Sequence, residues 1–207
     1  MAQEKENKRK PKKLPKIISA EQAEKLFNTF NLNSPSGLRN YAAFRCAYRA
    51  GLRASEIINL SPEDIIWDKK KIYVQLGKSK KDRMVFIGDE LLACLKKWAE
   101  IRPQSGYFFC TVSDGDERES GRPLSDSYLR QVLRRKSHEA GVYVNHNHEI
   151  KPVSPHILRH TYATWLLESG LNIRKVQQQL GHADLSATML YTHVVDDGLA
   201  AEIQALG

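Results

Sequence analysis

The sequence predicts a mainly helical domain with a small antiparallel β-sheet, an α+β fold. Three observations carry that expectation. Apolar residues recur at helical spacing along most of the chain, the period drops to two between about residues 72 and 87, and Ser, Asn, Pro and Gly punctuate the boundaries. With 207 residues the chain is long enough for one well-buried domain, or at most two small ones.

Ser19 reads as the N-cap of a helix over 20–30, with Ala23, Leu26, Phe27 and Phe30 facing inward. Pro35, Ser36 and Gly37 read as a break. A second helix then carries Tyr41, Phe44 and Tyr48 and stops at Gly51. Leu52 to Leu60 forms a short third helix, in which Glu56, Ile57 and Leu60 pack or brace. Ile72, Val74 and Leu76 then alternate with Tyr73 and Gln75, and Met84 to Ile87 is a second apolar run. Gly77-Lys78-Ser79-Lys80-Lys81-Asp82 between them has hairpin chemistry.

Helix returns over 89–101, with a stripe of Leu91, Leu92, Leu95 and Trp98. Ser113 to Pro123 reads as a loop, Ser125 to Ala140 as a basic helix stopped by Gly141, and 142–153 as irregular. Ser154-Pro155 is a strong helix start, an N-cap followed by proline at N1. Leu158, Tyr162, Trp165 and Leu166 follow as a core stripe that ends at Gly170. Asn172 caps the next helix, with Ile173, Val176 and Leu180 inward until Gly181, and Asp184 caps a last helix carrying Tyr191. The chain holds no internal repeat.

Charge supplies the first functional indication. The net charge of +8 and pI near 9.4 favour a polyanionic partner. Residues 1–16 hold seven Lys or Arg (Lys5, Lys8, Arg9, Lys10, Lys12, Lys13, Lys16) against Glu4 and Glu6, so five of the eight excess charges sit there. Such an arm, expected to be disordered over 1–18, could neutralise DNA phosphates. On charge alone a solubilising tail fits equally well. No run approaches the roughly 18–20 apolar residues of a membrane span, and the N-terminus lacks the apolar core of a secretory signal. Cys46, Cys94 and Cys110 are odd in number and widely spaced, which fits a reducing cytoplasm.

His156, Arg159 and His160 stand at i, i+3 and i+4 and share one helix face near its N-terminus, where the dipole and free N–H groups favour an anion. By itself HxxRH is weak. His182 follows Gly181 at a turn, Tyr191 lies nine residues later, Arg53 follows Gly51-Leu52, and Lys78 lies 25 residues beyond Arg53. Taken singly, each reads as a surface charge or a packed aromatic. His146 and His148 could suggest a metal site with His156, but without cysteine or a placed carboxylate they read as solvated loop histidines.

Four segments, GLRASEIINL (51–60), LGKSKKDRMVFI (76–87), HILRHTYATWLLESG (156–170) and LGHADLSATMLYTH (180–193), together resemble the tyrosine recombinases, the phage integrase family that includes the Xer proteins and integron integrases. The resemblance spans residues 19–194 and implies that family's catalytic-domain fold. It also implies a role for each matching position. Arg53 and Arg159 would clamp phosphate oxygens. Lys78 would protonate the departing 5′ oxygen, His156 and His182 would hold the phosphate and assist proton transfer, and Tyr191 would be the nucleophile. Freeing a phenolate at pH 7 costs about 4 kcal/mol, so a cationic pocket and a nearby base are needed. Lys80 and Lys81 share the hairpin loop with Lys78 and remain alternative proton donors or phosphate contacts; Glu56 and His160 would orient the arginines and the fold.

The implied reaction is in-line attack by Tyr191 on a phosphodiester, leaving a 3′-phosphotyrosine and a free 5′ hydroxyl that a partner strand's hydroxyl later replaces. The bond energy stays in the covalent link, so no cofactor, metal or ATP is expected; the sequence has no Walker loop and no carboxylate cluster for Mg²⁺. The implied partners are double-stranded DNA and further copies of the chain, as a dimer or tetramer on DNA. Most members of that family carry an additional N-terminal domain that clamps DNA, whereas only about 18 residues precede the match here. A minimal recombinase and a fragment of a longer chain are both compatible with that. Residues 195–207 continue a tail in which Val194, Val195, Leu199, Ala200, Ile203 and Leu206 give an apolar face, suited to a neighbouring protomer or to its own domain. Three rivals remain at this level: a helix-turn-helix regulator built on 172–194, a type IB topoisomerase, and a metal-dependent nuclease, the last disfavoured by the missing carboxylates.

Overall fold

The computed structural model describes residues 16–75, 82–113, 121–146 and 149–181. Seven helices and five short strands occur among them, in the order α1 (Ala20–Phe27), α2 (Pro35–Ala50), α3 (Ala54–Ile58), β1 (Ile65–Ile66), β2 (Lys71–Val74), β3 (Arg83–Phe86), α4 (Asp89–Ile101), α5 (Asp126–Ala140), β4 (Tyr143–His146), β5 (Glu149–Pro152), α6 (Pro155–Glu168) and α7 (Ile173–Leu180). The α+β expectation holds, with the helices dominant.

α2 is the centre of the packing. Leu38, Ala42, Ala43, Phe44, Cys46, Ala47 and Ala50 are buried along it, and its small alanines let α3, α4 and α6 approach closely. Ser34 accepts a hydrogen bond from the Gly37 N–H (3.1 Å), so Pro35 to Gly37 form the first helical turn rather than the expected break. Proline is suited to that position because N1 has no hydrogen bond to lose. On α4 all four stripe residues are buried, and the Trp98 indole N–H reaches the Phe108 carbonyl at 2.9 Å. Burying side chains of this size contributes about 1.5–3 kcal/mol each.

β1, β2 and β3 form one antiparallel sheet in that order, with Ile72 opposite Val85 and Val74 opposite Arg83. The two-residue strand β1 carries no alternation that the sequence could reveal. β4 and β5 form a separate hairpin where irregular chain was expected over 142–153. Its second strand has no buried residue to supply a period-two signal. Trp165, expected in the core stripe of α6, is 47 % exposed, while Leu158, Tyr162 and Leu166 are buried as expected. The folded part also begins earlier than the arm boundary suggested. Ile18 is buried and its N–H donates to Thr161 Oγ1 at 3.2 Å.

α6 and α7 enclose a second apolar cluster of Tyr162, Ala163, Leu166, Leu167, Val176 and Leu180. Beside it an open groove of about 790 Å³ runs between the β3–α4 junction and the α6–α7 pair, with Met84, Phe86, Trp165 and Leu171 exposed along it. No helix among the described residues is long and apolar enough to cross a membrane.

Candidate active site

The site is organised around one carboxylate. Glu56 lies in the first turn of α3, is buried, and accepts from the Arg53 N–H (2.8 Å) and the Arg53 Nη1 (2.6 Å). Its two oxygens also receive Arg83 Nη1 and Nη2 at 2.9 and 2.8 Å, a two-pronged pair. Arg159, one turn into α6, brings Nη1 to 3.8 Å from the same carboxylate. Burial alone would raise the Glu56 pKa, but the Arg83 and Arg53 guanidiniums outweigh it and hold the carboxyl at about 2. Glu56 is therefore ionised at neutral pH. Three guanidiniums against one carboxylate leave two positive charges in excess, an electrostatic setting for a phosphate diester.

The same three arginines grip the C-terminal end of α7. Arg83 Nε donates to the Gln179 carbonyl (3.2 Å), Arg159 Nη2 to Leu180 (2.7 Å) and Arg53 Nη2 to Gly181 (3.3 Å). Consecutive carbonyls that helix geometry leaves without N–H partners are thus each taken by a different cation, on the negative end of the helix dipole. Arg159 also donates to the Gly51 carbonyl, which places the C-cap of α2 in the cluster. Gly51 and Gly181 both take left-handed backbone, φ 68° and 64°. A Cβ on Gly181 would lie 2.5 Å from Arg83 Cδ, and one on Gly51 2.6 Å from Leu180 Cδ2. The glycines of the two boxes therefore serve close approach as well as helix termination.

Accessibility divides these cations. The Arg53 side chain is 28 % exposed, whereas those of Arg83 and Arg159 are 6 % and 7 % exposed. His156 stands exposed in the first turn of α6, whose N-cap Ser154 has extended dihedrals but no side-chain cap hydrogen bond. His160, half-buried, has its pKa lowered to about 4, first by burial and then by the charges of His156 and Arg159. It is neutral at pH 7, in keeping with an orienting rather than a charged role.

Of the residues singled out in the sequence, Arg53, Arg159 and Glu56 converge, with His156 and His160 on the same helix as Arg159. Lys78, Lys80, Lys81, His182 and Tyr191 lie outside the described residues, as do Lys8, Arg9, Lys10, Lys12, Lys13, His148 and the Asp184 cap. Sequence reasoning missed Arg83 and Gln179. Arg83 is in phase with Val85 and Ile87, both buried, and a charge on the buried face of a strand requires a partner. Gln179 bonds both backbone groups of Phe86, accepting from its N–H (3.1 Å) and donating to its carbonyl (2.8 Å), and also reaches the Tyr162 hydroxyl (3.0 Å). Nothing in its surroundings in the sequence distinguishes it from Gln177 or Gln178.

A mostly helical domain with paired arginines on one buried glutamate, joined to the four boxes in order, defines the class. The phage integrase family model matches residues 16–197, and the chain belongs to that family. It is 35 % identical over 189 residues to tyrosine recombinase XerA of Thermococcus onnurineus, a match covering 91 % of this chain and 62 % of the relative. The crystal structure of XerA recombinase superposes with a TM-score of 0.73 at 30 % identity, over 94 % of this chain and 66 % of that one. The XerH recombinase bound to its difH substrate before cleavage shares the fold, with a TM-score of 0.70 at 24 % identity over 91 % and 53 %. The chain thus spans about 62 % of the length of the curated relative it matches.

Proposed function

We propose that this chain carries the strand-cleaving activity of a site-specific DNA recombinase, acting through a 3′-phosphotyrosine on Tyr191. The observation that carries the reading is the convergence of Arg53 and Arg159 on Glu56, beside the first turn of α6 that bears His156. Arg53, the more exposed of the pair, reaches a phosphate oxygen directly; Arg159 stabilises the charge that builds on the pentacoordinate phosphorus from beneath. Tyr191 Oη forms the new bond to phosphorus as the bond to the 5′ oxygen breaks. The phenol proton passes to a histidine, His182 or His156, and Lys78 delivers a proton to the leaving oxygen. A 5′ hydroxyl from a partner strand then reverses these transfers and displaces the tyrosine, so the cycle consumes neither ATP nor a metal ion.

Double-stranded DNA is the substrate in this proposal, supported by the excess positive charge of the cluster and the basic N-terminal residues. Exchange requires further copies of the chain on DNA. The groove with exposed Phe86, Trp165, Met84 and Leu171 is the surface expected to be covered by the apolar-patterned segment 194–206 of a second copy.

The test is covalent trapping in EDTA on nicked duplexes that release a short fragment after cleavage. Wild type is expected to give a protein–DNA adduct that survives SDS, and Tyr191→Phe none. Tight binding by both proteins without an adduct favours the non-catalytic regulator. Relaxation of a supercoiled plasmid with no specific site favours a topoisomerase.

A further inference from the structure

We infer that Arg83 is a positioning residue for the Arg53–Arg159 pair: by occupying half of the Glu56 carboxylate, it keeps that carboxylate from drawing Arg159 in and cancelling charge that meets the phosphate. The inference rests on the recombinase reading above. A carboxylate offers about four lone-pair positions. On Glu56 four N–H donors take them. The Arg53 backbone N–H and Arg83 Nη2 reach Oε2, both at 2.8 Å, while Arg53 Nη1 and Arg83 Nη1 reach Oε1 at 2.6 and 2.9 Å.

Arg159 stands outside that set. Its Nη1 stops 3.8 Å from Oε2, beyond hydrogen-bond range. It donates instead to the Gly51 and Leu180 carbonyls, which carry no net charge. A guanidinium oriented by carbonyls keeps its charge for an anion, whereas a carboxylate at close range offsets it. Without Arg83, each Glu56 oxygen would keep one donor and have room for the guanidinium now 3.8 Å away. Two arginines would then face one carboxylate, and the excess charge at the site would fall from two to one. The Arg83 side chain is 6 % exposed and its Nε is tied to the Gln179 carbonyl at 3.2 Å, so it acts through Glu56 and does not touch substrate.

A role carried by charge disappears when the charge on the substrate is removed. Replacing one non-bridging oxygen of the scissile phosphate by methyl gives a neutral phosphonate. Tyr191 Oη still bonds to phosphorus, and the 5′ oxygen still leaves with a proton. Any effect on that proton, like any general loss of structure, therefore falls equally on both substrates. Cleavable duplexes are first captured covalently by the wild-type chain from a pool of nicked, randomised duplexes. The captured sequence is then made with phosphate or methylphosphonate at the scissile position, and single-turnover rates are measured at saturating DNA. Arg83→Met is expected to cut the phosphate substrate on the order of a hundredfold more slowly, the scale of losing one preorganised electrostatic contact, and the methylphosphonate within a few-fold of wild type. Arg83→Lys, which sets a single ammonium where the two-pronged guanidinium stood, serves if the Met variant does not fold, judged by circular dichroism. It should show the same selectivity with a smaller defect.

Equal slowing on both substrates overturns the inference, because a merely structural role lowers both rates alike. A wild-type rate on the phosphate substrate in whichever variant folds also overturns it, as does failure of both variants to fold, which would make Arg83 a brace alone. A wild-type chain that cleaves phosphate but not methylphosphonate overturns it too, since the arginines would then act on something other than charge. If the wild-type chain captures no duplex, or Tyr191→Phe captures as well as wild type, the recombinase reading itself fails and this inference falls with it.

Discussion

Replacing Glu56 by Gln tests the organisation of the site as physics before any DNA is added. The substitution keeps the shape and removes the charge that three arginines share. Two routes give its cost. Holding the carboxyl at about 2 rather than the ordinary 4.5 corresponds to roughly 3 kcal/mol of stability at neutral pH. Removing one partner of a buried ion pair costs about 3–5 kcal/mol, because the guanidiniums left behind are uncompensated. The agreement supports a loss of about 3 kcal/mol, or about 6–12 °C in Tm for a chain of this size. Urea and thermal denaturation of both proteins at pH 7 measure it. The pH dependence adds a second check with a fixed sign. A depressed carboxyl contributes fully above pH 4.5 and loses its contribution as pH falls towards 2, so the wild-type margin should narrow across that window. A loss below 1 kcal/mol at pH 7, or a margin unchanged down to pH 2, would refute the account of Glu56 as the organiser.

Gly181→Ala should destabilise the fold by about 1–2 kcal/mol from left-handed backbone alone, and more because its Cβ meets Arg83; thermal melts read the loss, and an unchanged Tm would remove Arg83 from that contact. His160 should remain neutral on NMR titration until near pH 4, and the stability it protects should decline as pH falls from 6.5 towards 4, since the unfolded chain takes the proton first. A His160 ring that titrates near 6.5 would contradict its burial beside Arg159. Trapping with Arg53→Ala and Arg159→Ala should lower the cleavage rate by at least a hundredfold each, measured at saturating DNA. Either variant cleaving at the wild-type rate would exclude that arginine from the phosphate site.

Much of this was legible in the sequence where local rules and tertiary packing agree. The Ser154-Pro155 start of α6, the apolar stripe of α4 and the glycine stops after α2, α5 and α7 follow from capping and periodicity, which need no distant partner. The β4–β5 hairpin escaped because Glu149, Ile150 and Lys151 are all exposed, which removes the alternation that marks a strand. Trp165 was misread because helical spacing cannot tell a core face from an exposed groove. The arginine pair at the site was found from motifs, whereas Arg83 depended on contacts across 27 residues to Glu56 and 96 to Gln179. Its one local sign was the period-two phase with Val85 and Ile87, and that sign requires the strand register to be known first.

The central claim is that Tyr191 becomes covalently joined to DNA, and mass spectrometry of the trapped adduct tests it most directly. No Lys or Arg follows Lys175, so trypsin leaves Tyr191 in the single C-terminal peptide 176–207. After nuclease digestion the account predicts a nucleotide remnant on that peptide, with fragmentation placing it on Tyr191 through a phosphate ester. A remnant on any other residue, or an adduct undiminished in Tyr191→Phe, would contradict it.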